Sequence, residues 1–359
     1  MIHKFQGDLL CFGLSRLKSR IAQPDGVVLQ KVHSIQFLRA VAALSVMFFH
    51  IVGAPLTIGA AGVDVFFVIS GFVMGMVGDK ATPTKFLRHR LFRIVPLYWA
   101  VTLLMCLGAL AGVFSTFTFT MDHLWKSLLF IPYADASGQV TPLVMVGWTL
   151  NMEMFFYLVF ALGLALRAPI SVTIIVLTGM VCLGQLADWQ SPFMQIWASP
   201  LLLEFLAGLV LSQIAFAGVR SGAAALVLSF VGFAFAAGIG EQSGLLRIAS
   251  WGVPAFLLVA GCVWIERAGG WPIAWLKPFE IIGDASYALY LLHGLVISVV
   301  YKIIAPGPAA GIVAVFAALA VSVAAHLLFE KPVIRLLRKF ADRGIGSQRA
   351  EAVADRRFA

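Results

Sequence analysis

Apolar runs of about 18 residues or more recur along the whole chain, near 35–53, 61–78, 92–113, 148–167, 170–187, 193–213, 222–240, 247–265, 280–304 and 309–329. A run of that length is what a helix needs to cross the ~30 Å hydrocarbon core of a bilayer. Composition agrees. Hydrophobic residues make up 61%, charged residues only 12%, and mean hydropathy is +0.95, against about 45–50% apolar and about 25% charged in a soluble domain. The excess fits a chain whose outer surface faces lipid. The fold class expected is therefore an all-α polytopic integral membrane protein of about ten transmembrane helices, in one domain without an internal repeat.

The 26 lysines and arginines test the topology. With a cytoplasmic N-terminus and ten passes, nearly all of them fall on the cytoplasmic side, in the connections between runs and in the tail. The other side holds only Lys126, Arg247 and Lys302, and Arg39 lies inside the first run. This asymmetry places both termini in the cytoplasm and accounts for the net charge of +9 without nucleic acid. Residues 1–34 read as a cytoplasmic segment, with 8–21 able to lie in the interface or to form a tail. Residues 35–330 read as the membrane domain and 331–359 as a basic cytoplasmic tail. The connection 114–147, with Trp125, Pro132, Tyr133 and Pro142, is expected partly in the interface. The cysteines, Cys11, Cys106, Cys182 and Cys262, show no metal or redox spacing, and no metal is implied.

Ionisable groups inside a span are costly unless paired or hydrated, and mark functional positions. Arg39 and His50 lie eleven residues apart in the first run, nearly three turns, so they share a face about 16 Å apart along the axis. They are expected to present a cation and a titratable base to one interior cavity; alone, His50 also reads as an interfacial histidine satisfied by a carbonyl. Asp64 in the second run is either functional or simply hydrated near the outer end. Gly71 and Gly75 form a small-xxx-small pair for close helix approach. Arg88, Arg90 and Arg93 crowd the start of the third run. They serve as positive-inside anchors or as bidentate ligands for a phosphate-rich donor such as an acyl-coenzyme A. The fourth run opens with Trp148, Asn151, Glu153 and Tyr157, Glu153 and Tyr157 being one turn apart. Trp148 also suits an aromatic belt. Further on come Glu204, then Ser286, Tyr287, Tyr290 and His293, with Ser286, Tyr290 and His293 near one face. His326 reads as a core or helix-end histidine.

These segments resemble the acyltransferase-3 family of membrane acyltransferases. The matching phrases are Arg39 and His50 at their spacing, Gly62-Val-Asp64 through Ser70-Gly71-Phe72, the basic cluster before Arg93-Ile-Val-Pro96 and Tyr98, and Trp148-Thr-Leu-Asn-Met-Glu153 with Phe156-Tyr157. One extra residue stands between Glu153 and that aromatic pair. Ser286-Tyr287 to His293 and Glu330-Lys-Pro332 complete the set over about 300 residues. The wording is closest to the exopolysaccharide O-acetyltransferase branch. The resemblance implies transfer of an acetyl group from acetyl-coenzyme A, the cosubstrate, to a carbohydrate hydroxyl of an exopolysaccharide or lipid-linked oligosaccharide. It implies a place in the inner membrane and contact with polysaccharide-assembly proteins. In that chemistry Arg88, Arg90 and Arg93 hold the coenzyme phosphates and the pantetheine arm threads past Arg39. His50 is the general base or a transient acyl acceptor, and Glu153 orients an imidazole or the sugar. Asp64, Trp148, Asn151, Tyr157, Ser286, Tyr287 and His293 support the substrates. Two other classes fit the spans: a secondary transporter, which would more often show repeats and broken helices, and a non-catalytic polysaccharide-assembly subunit.

Overall fold

The computed structural model describes residues 32–341 except 54–56, 78–80, 115–116, 136, 215–217 and 241. The expectations for 1–31, for Lys80, for Cys11 and for the end of the basic tail lie outside the described residues. Among these there is no strand. The apolar helices are α1 (His33–Val52), α2 (Gly62–Val77), α3 (Pro83–Leu110), α5 (Trp148–Ala165), α6 (Pro169–Gly184), α8 (Leu202–Gln213), α9 (Gly218–Ile239), α10 (Val253–Arg267), α12 (Ser286–Ile303) and α13 (Pro308–Ala325). Short helices α4 (Met121–Leu128), α7 (Pro192–Trp197) and α11 (Glu280–Asp284) lie between them. A π turn, Ile248–Gly252, leads into α10, and a second, His326–Glu330, extends α13. Helical backbone continues to 341, so the tail expected from 331 begins as helix.

Among the described residues nine helices, some with their short neighbours, are long and apolar enough to cross a membrane. The tenth, α6, has 16 residues, or about 24 Å, less than the usual core thickness. Helix directions show that it nonetheless carries the chain across. Val68 of α2 lies against Gly208 of α8, Gly71 against Leu209, and Gly75 against Ser212. Residue numbers rise together, so α2 and α8 run parallel. Two parallel passes require an odd number of passes between them, and α3, α5 and α6 supply three. Helices α1 and α12 give the same answer: Arg39 meets Ser286, His50 meets His293 and Ile51 meets Tyr301. Ten passes leave both ends of the bundle on one side. A short pass is accommodated by local thinning or by tilt of its neighbours.

The α2–α8 contact is the tightest seam. A Cβ on Gly71 would lie 1.9 Å from the Phe205 carbonyl, and one on Gly208 1.9 Å from that of Val68. Backbones that close gain dispersion and weak Cα–H contacts that larger residues would forbid. Phe67 and Phe205 stack across it at a centroid distance of 4.5 Å, and Phe156 of α5 stacks on Phe205 at 4.7 Å. At the start of α1, where Val32 offers no side-chain cap, Glu266 from the end of α10 accepts from the His33 and Ser34 amides at 2.7 Å each. A carboxylate there satisfies two orphan donors and opposes the positive end of the helix dipole.

The connection 114–147 does more than lie at the interface. After Leu110 the chain turns and α4 packs back along α3: Trp99 Nε1 donates to Leu128 O at 2.8 Å, and Phe130 stacks on Tyr98 at 4.8 Å. Tyr98 is twelve residues before Leu110, about 18 Å down the helix. Phe130 has φ 58°, a costly conformation for a bulky residue, held by this packing. Gly147, just before α5, packs beside the Tyr98 ring. Helix α5 therefore starts well below the end of α3, which sets the depth of the polar residues on its first turns.

Candidate active site

A cavity of about 100 Å³ lies between α1, α2, α3, α5 and α12. Three guanidinium groups line it, from Arg39, Arg90 and Arg93, together with Glu153, Tyr157 and Ser286. The opposite wall is apolar, built from side chains of α2 such as Val63, Phe67 and Val73. Arg39 reaches across to α12, donating to Ser286 Oγ from Nε at 3.1 Å and Nη2 at 2.9 Å. Glu153 accepts from Ser70 Oγ at 3.1 Å and from the Tyr157 hydroxyl. Arg90 sits over the Phe86 and Tyr157 rings, and its buried Nε has no hydrogen-bond partner. Tyr287 is fixed by donation to Ile94 O at 2.7 Å, and Tyr290 by contact with Thr149 Oγ1 at 3.0 Å. An electropositive pocket with one apolar wall suits a ligand that joins anionic groups to a flexible chain.

His50 does not line this cavity. It pairs with His293, ring centroids 4.9 Å apart and His50 Nδ1 3.3 Å from His293 Nε2. His50 Nδ1 also lies 2.9 Å from Val46 O, and His293 Nδ1 lies 3.0 Å from Leu289 O. A carbonyl oxygen only accepts, so each Nδ1 carries the hydrogen. The network therefore assigns His293 Nε2 as an acceptor facing His50 and leaves the lone pair on His50 Nε2 for another proton. His293 is 1% exposed whereas His50 is half-buried. Tyr290 stands between the two regions: it lines the cavity, and its ring lies 6.2 Å from that of His293.

An acyltransferase domain model matches residues 32–328. The chain belongs to the acyltransferase-3 family. Among curated relatives, the exopolysaccharide production protein ExoZ of Rhizobium meliloti (strain 1021) is 38% identical over 298 residues, covering 79% of this chain and 92% of the relative. The acyltransferase MdmB of Streptomyces mycarofaciens is 28% identical, covering 86% of this chain and 92% of the relative. No solved structure matches significantly. This acyltransferase-3 protein is thus a multi-pass membrane enzyme that transfers acyl groups.

Several expectations change with the geometry. Arg39 and His50 share a helix but not a cavity; α12 receives both, at Ser286 and His293 respectively. Glu153 belongs with the arginines and holds Ser70 and Tyr157, not an imidazole. Its depth was hidden by the fold-back before α5. Of the three clustered arginines, Arg90 and Arg93 line the cavity and Arg88 does not. Asp64 is neither hydrated nor exposed: it is 0% exposed and accepts from Arg247 Nη2 at 2.7 Å and Nε at 3.2 Å. Arg247 in turn lies 4.6 Å over the Trp251 ring. Trp148 packs edge-on to Phe67 in the core instead of marking a belt. Asn151 faces a separate groove with Phe155 and Trp197. Sequence reading left Arg247 on an outer connection and gave Ser70 and Thr149 no role; the Ser70-Gly71 step in the second run was the one available signal. His326 bonds Glu330 at 2.8 Å inside the second π turn. Among the described residues no group of His, Cys, Asp or Glu side chains is arranged to hold a metal ion.

Proposed function

We propose that this enzyme moves an acetyl group from acetyl-coenzyme A to a carbohydrate hydroxyl of an exopolysaccharide or its lipid-linked oligosaccharide precursor, in the inner membrane with both termini cytoplasmic. The observation that carries the reading is the convergence of Arg39, Arg90 and Arg93 on one cavity with an apolar wall. Arg90 and Arg93 would bind phosphate oxygens, with the unpartnered Arg90 Nε a donor awaiting an acceptor. Arg39, held by Ser286, would direct the pantetheine arm toward Tyr290 and the histidine pair. The name of the ExoZ relative supports a polysaccharide as acceptor.

The chemistry is then balanced by residues already in place. His50 Nε2 takes the proton of the sugar hydroxyl as its oxygen attacks the thioester carbonyl. The carbon–sulfur bond breaks, its electron pair leaves on sulfur, and the His50 imidazolium gives its proton to that thiolate. A positioned general base contributes about 10²–10⁴ in rate. The test follows coenzyme thiol release by purified enzyme supplied with acetyl-coenzyme A. Release that depends on added deacylated exopolysaccharide, and falls by about 10² or more in His50→Ala, supports the reading. Glycan-independent release, or full activity in His50→Ala, contradicts it.

A further inference from the structure

A second cavity, of about 440 Å³, lies beyond the end of α6, where residues 184–200 turn the chain back toward α8. That size falls within the range of small-molecule sites, about 300–1,000 Å³. It shares no residue with the arginine cavity. The segment around it is held at three points. A Cβ on Gly184 would lie 2.4 Å from the Ala198 carbonyl oxygen, so glycine is what lets the two backbones approach. The indole Nε1 of Trp189 donates back to Leu183 O at 3.1 Å, and Gln195 Nε2 donates to Trp189 O at 3.3 Å.

The lining suits an uncharged sugar. Gln185, Gln190 and Gln195 supply amide donors and acceptors, Asp188 a carboxylate acceptor and Ser199 a hydroxyl. A sugar hydroxyl both donates and accepts, and this set meets both needs. Trp189 is 38% exposed. With its N–H satisfied internally, it offers the apolar body of the ring, against which the C–H face of a sugar packs. Among the described residues no lysine or arginine lines the cavity, and Asp188 is its one charge. That charge disfavours carboxylated or phosphorylated sugars.

The position of the cavity relative to His50 follows from counting passes. From the end of α1, where His50 stands, to the end of α6, the chain crosses by α2, α3, α5 and α6. An even number of crossings returns it to the same side. Arg90 and Arg93 lie in the first half of α3, toward the other side. The Trp189 cavity therefore opens on the side of the proposed base and away from the donor phosphates. Helices α1, α2, α8 and α6 are successive neighbours. At about 8–10 Å per neighbour, the two points lie up to about 30 Å apart across that face.

We propose that the cavity at Trp189 is a subsite for uncharged sugar residues of a long glycan acceptor, holding the chain on the membrane face where another of its residues enters at His50. This rests on the acetyl-transfer reading. Binding at a point remote from the chemistry raises the local concentration of the reacting hydroxyl. It holds ground state and transition state equally, so it lowers KM and leaves kcat unchanged. The gain is confined to acceptors long enough to reach both points.

The experiment has two arms, both with the full-length enzyme in detergent. In the first, initial rates with acetyl-coenzyme A compare deacylated exopolysaccharide with its shortest fragment that accepts acetyl. Trp189→Ala should raise KM for the polymer by about tenfold, with kcat and the fragment KM unchanged. Gln190→Ala removes an exposed amide without disturbing the packing, and should raise the polymer KM by about threefold. Trp275→Ala, at an exposed tryptophan on the opposite face, should change neither. In the second arm, His50→Ala enzyme without donor binds immobilised deacylated exopolysaccharide, read by surface plasmon resonance. Adding Trp189→Ala should weaken that binding by about tenfold, and oligogalacturonate should not compete for it. An unchanged polymer KM in both Trp189→Ala and Gln190→Ala overturns the subsite. So do equal rises for polymer and fragment, which mark an interfacial or structural tryptophan. Competition by oligogalacturonate overturns the preference for uncharged sugars. Absent transfer with binding that still depends on Trp189 removes the acetyl-transfer reading and leaves a glycan site; absent transfer and absent binding remove both.

Discussion

Arg39 and Ser286, on the first helix and near the start of α12, are joined by two hydrogen bonds to one hydroxyl oxygen, at 2.9 and 3.1 Å. The serine is 0% exposed, so it holds a guanidinium in place without neutralising it, leaving the charge available to a ligand. Hydrogen bonds to charged groups contribute about 1.5–3 kcal/mol. Ser286→Ala should therefore raise KM for acetyl-coenzyme A by about tenfold or more with a smaller change in kcat, read from initial rates. An unchanged KM would show that Arg39 needs no anchor.

Arg90 and Arg88 are two residues apart and differ in position: Arg90 lines the cavity, Arg88 does not. Equilibrium binding of radiolabelled acetyl-coenzyme A should weaken by about tenfold or more in Arg90→Ala, the scale of one charge-assisted contact. Arg88→Ala should bind within about threefold of wild type. Equal losses would favour a diffuse basic surface over a formed pocket.

The Asp64–Arg247 pair ties α2 to the residue just before the π turn that leads into α10, with side chains 0% and 12% exposed. Removing one partner of a buried pair costs about 3–5 kcal/mol, whereas replacing both by apolar residues is often neutral. Asp64→Ala should lower the unfolding temperature in detergent markedly, and Asp64→Leu with Arg247→Met should recover much of the loss. A wild-type melting curve for Asp64→Ala would show that the pair contributes little.

Gly208 meets the Val68 backbone so closely that even one methyl group must push α2 and α8 apart, while Gly179 faces open space. Size-exclusion chromatography of Gly208→Ala should show loss of the monodisperse peak. Gly179→Ala should elute like wild type. A normal profile for both would mean the seam is plastic.

Much of this architecture was legible in the residues. Hydropathy runs located the helices, including the short α6, and the glycine pair at 71 and 75 marked the seam that α8 fills. Arg39, Glu153, Ser286 and Tyr287 were all singled out, and the cavity gathers them. What spacing along one helix cannot give is depth relative to another. His50 and Arg39 share a face, yet their separation of about 16 Å along the axis leaves only Arg39 on the cavity, with Tyr290 between the two regions. Glu153 lies on the first turns of the fourth run, and the chain before it folds back to the level of Tyr98; hydropathy carries no mark of such a descent. Pairings between distant helices, Asp64 with Arg247 and His50 with His293, depend on packing that no local pattern encodes.

The proposed transfer carries the acetyl group through His50 to a carbohydrate hydroxyl from a donor held by Arg90 and its neighbours. Its most direct test is the chemical form of the product when purified enzyme is incubated with radiolabelled acetyl-coenzyme A and deacylated exopolysaccharide. Label is expected on the polysaccharide, released by mild alkali as an oxygen ester is, and lost in both His50→Ala and Arg90→Ala while each variant remains folded. Label that stays off the polysaccharide with donor demonstrably bound, or that persists undiminished in His50→Ala, would contradict it.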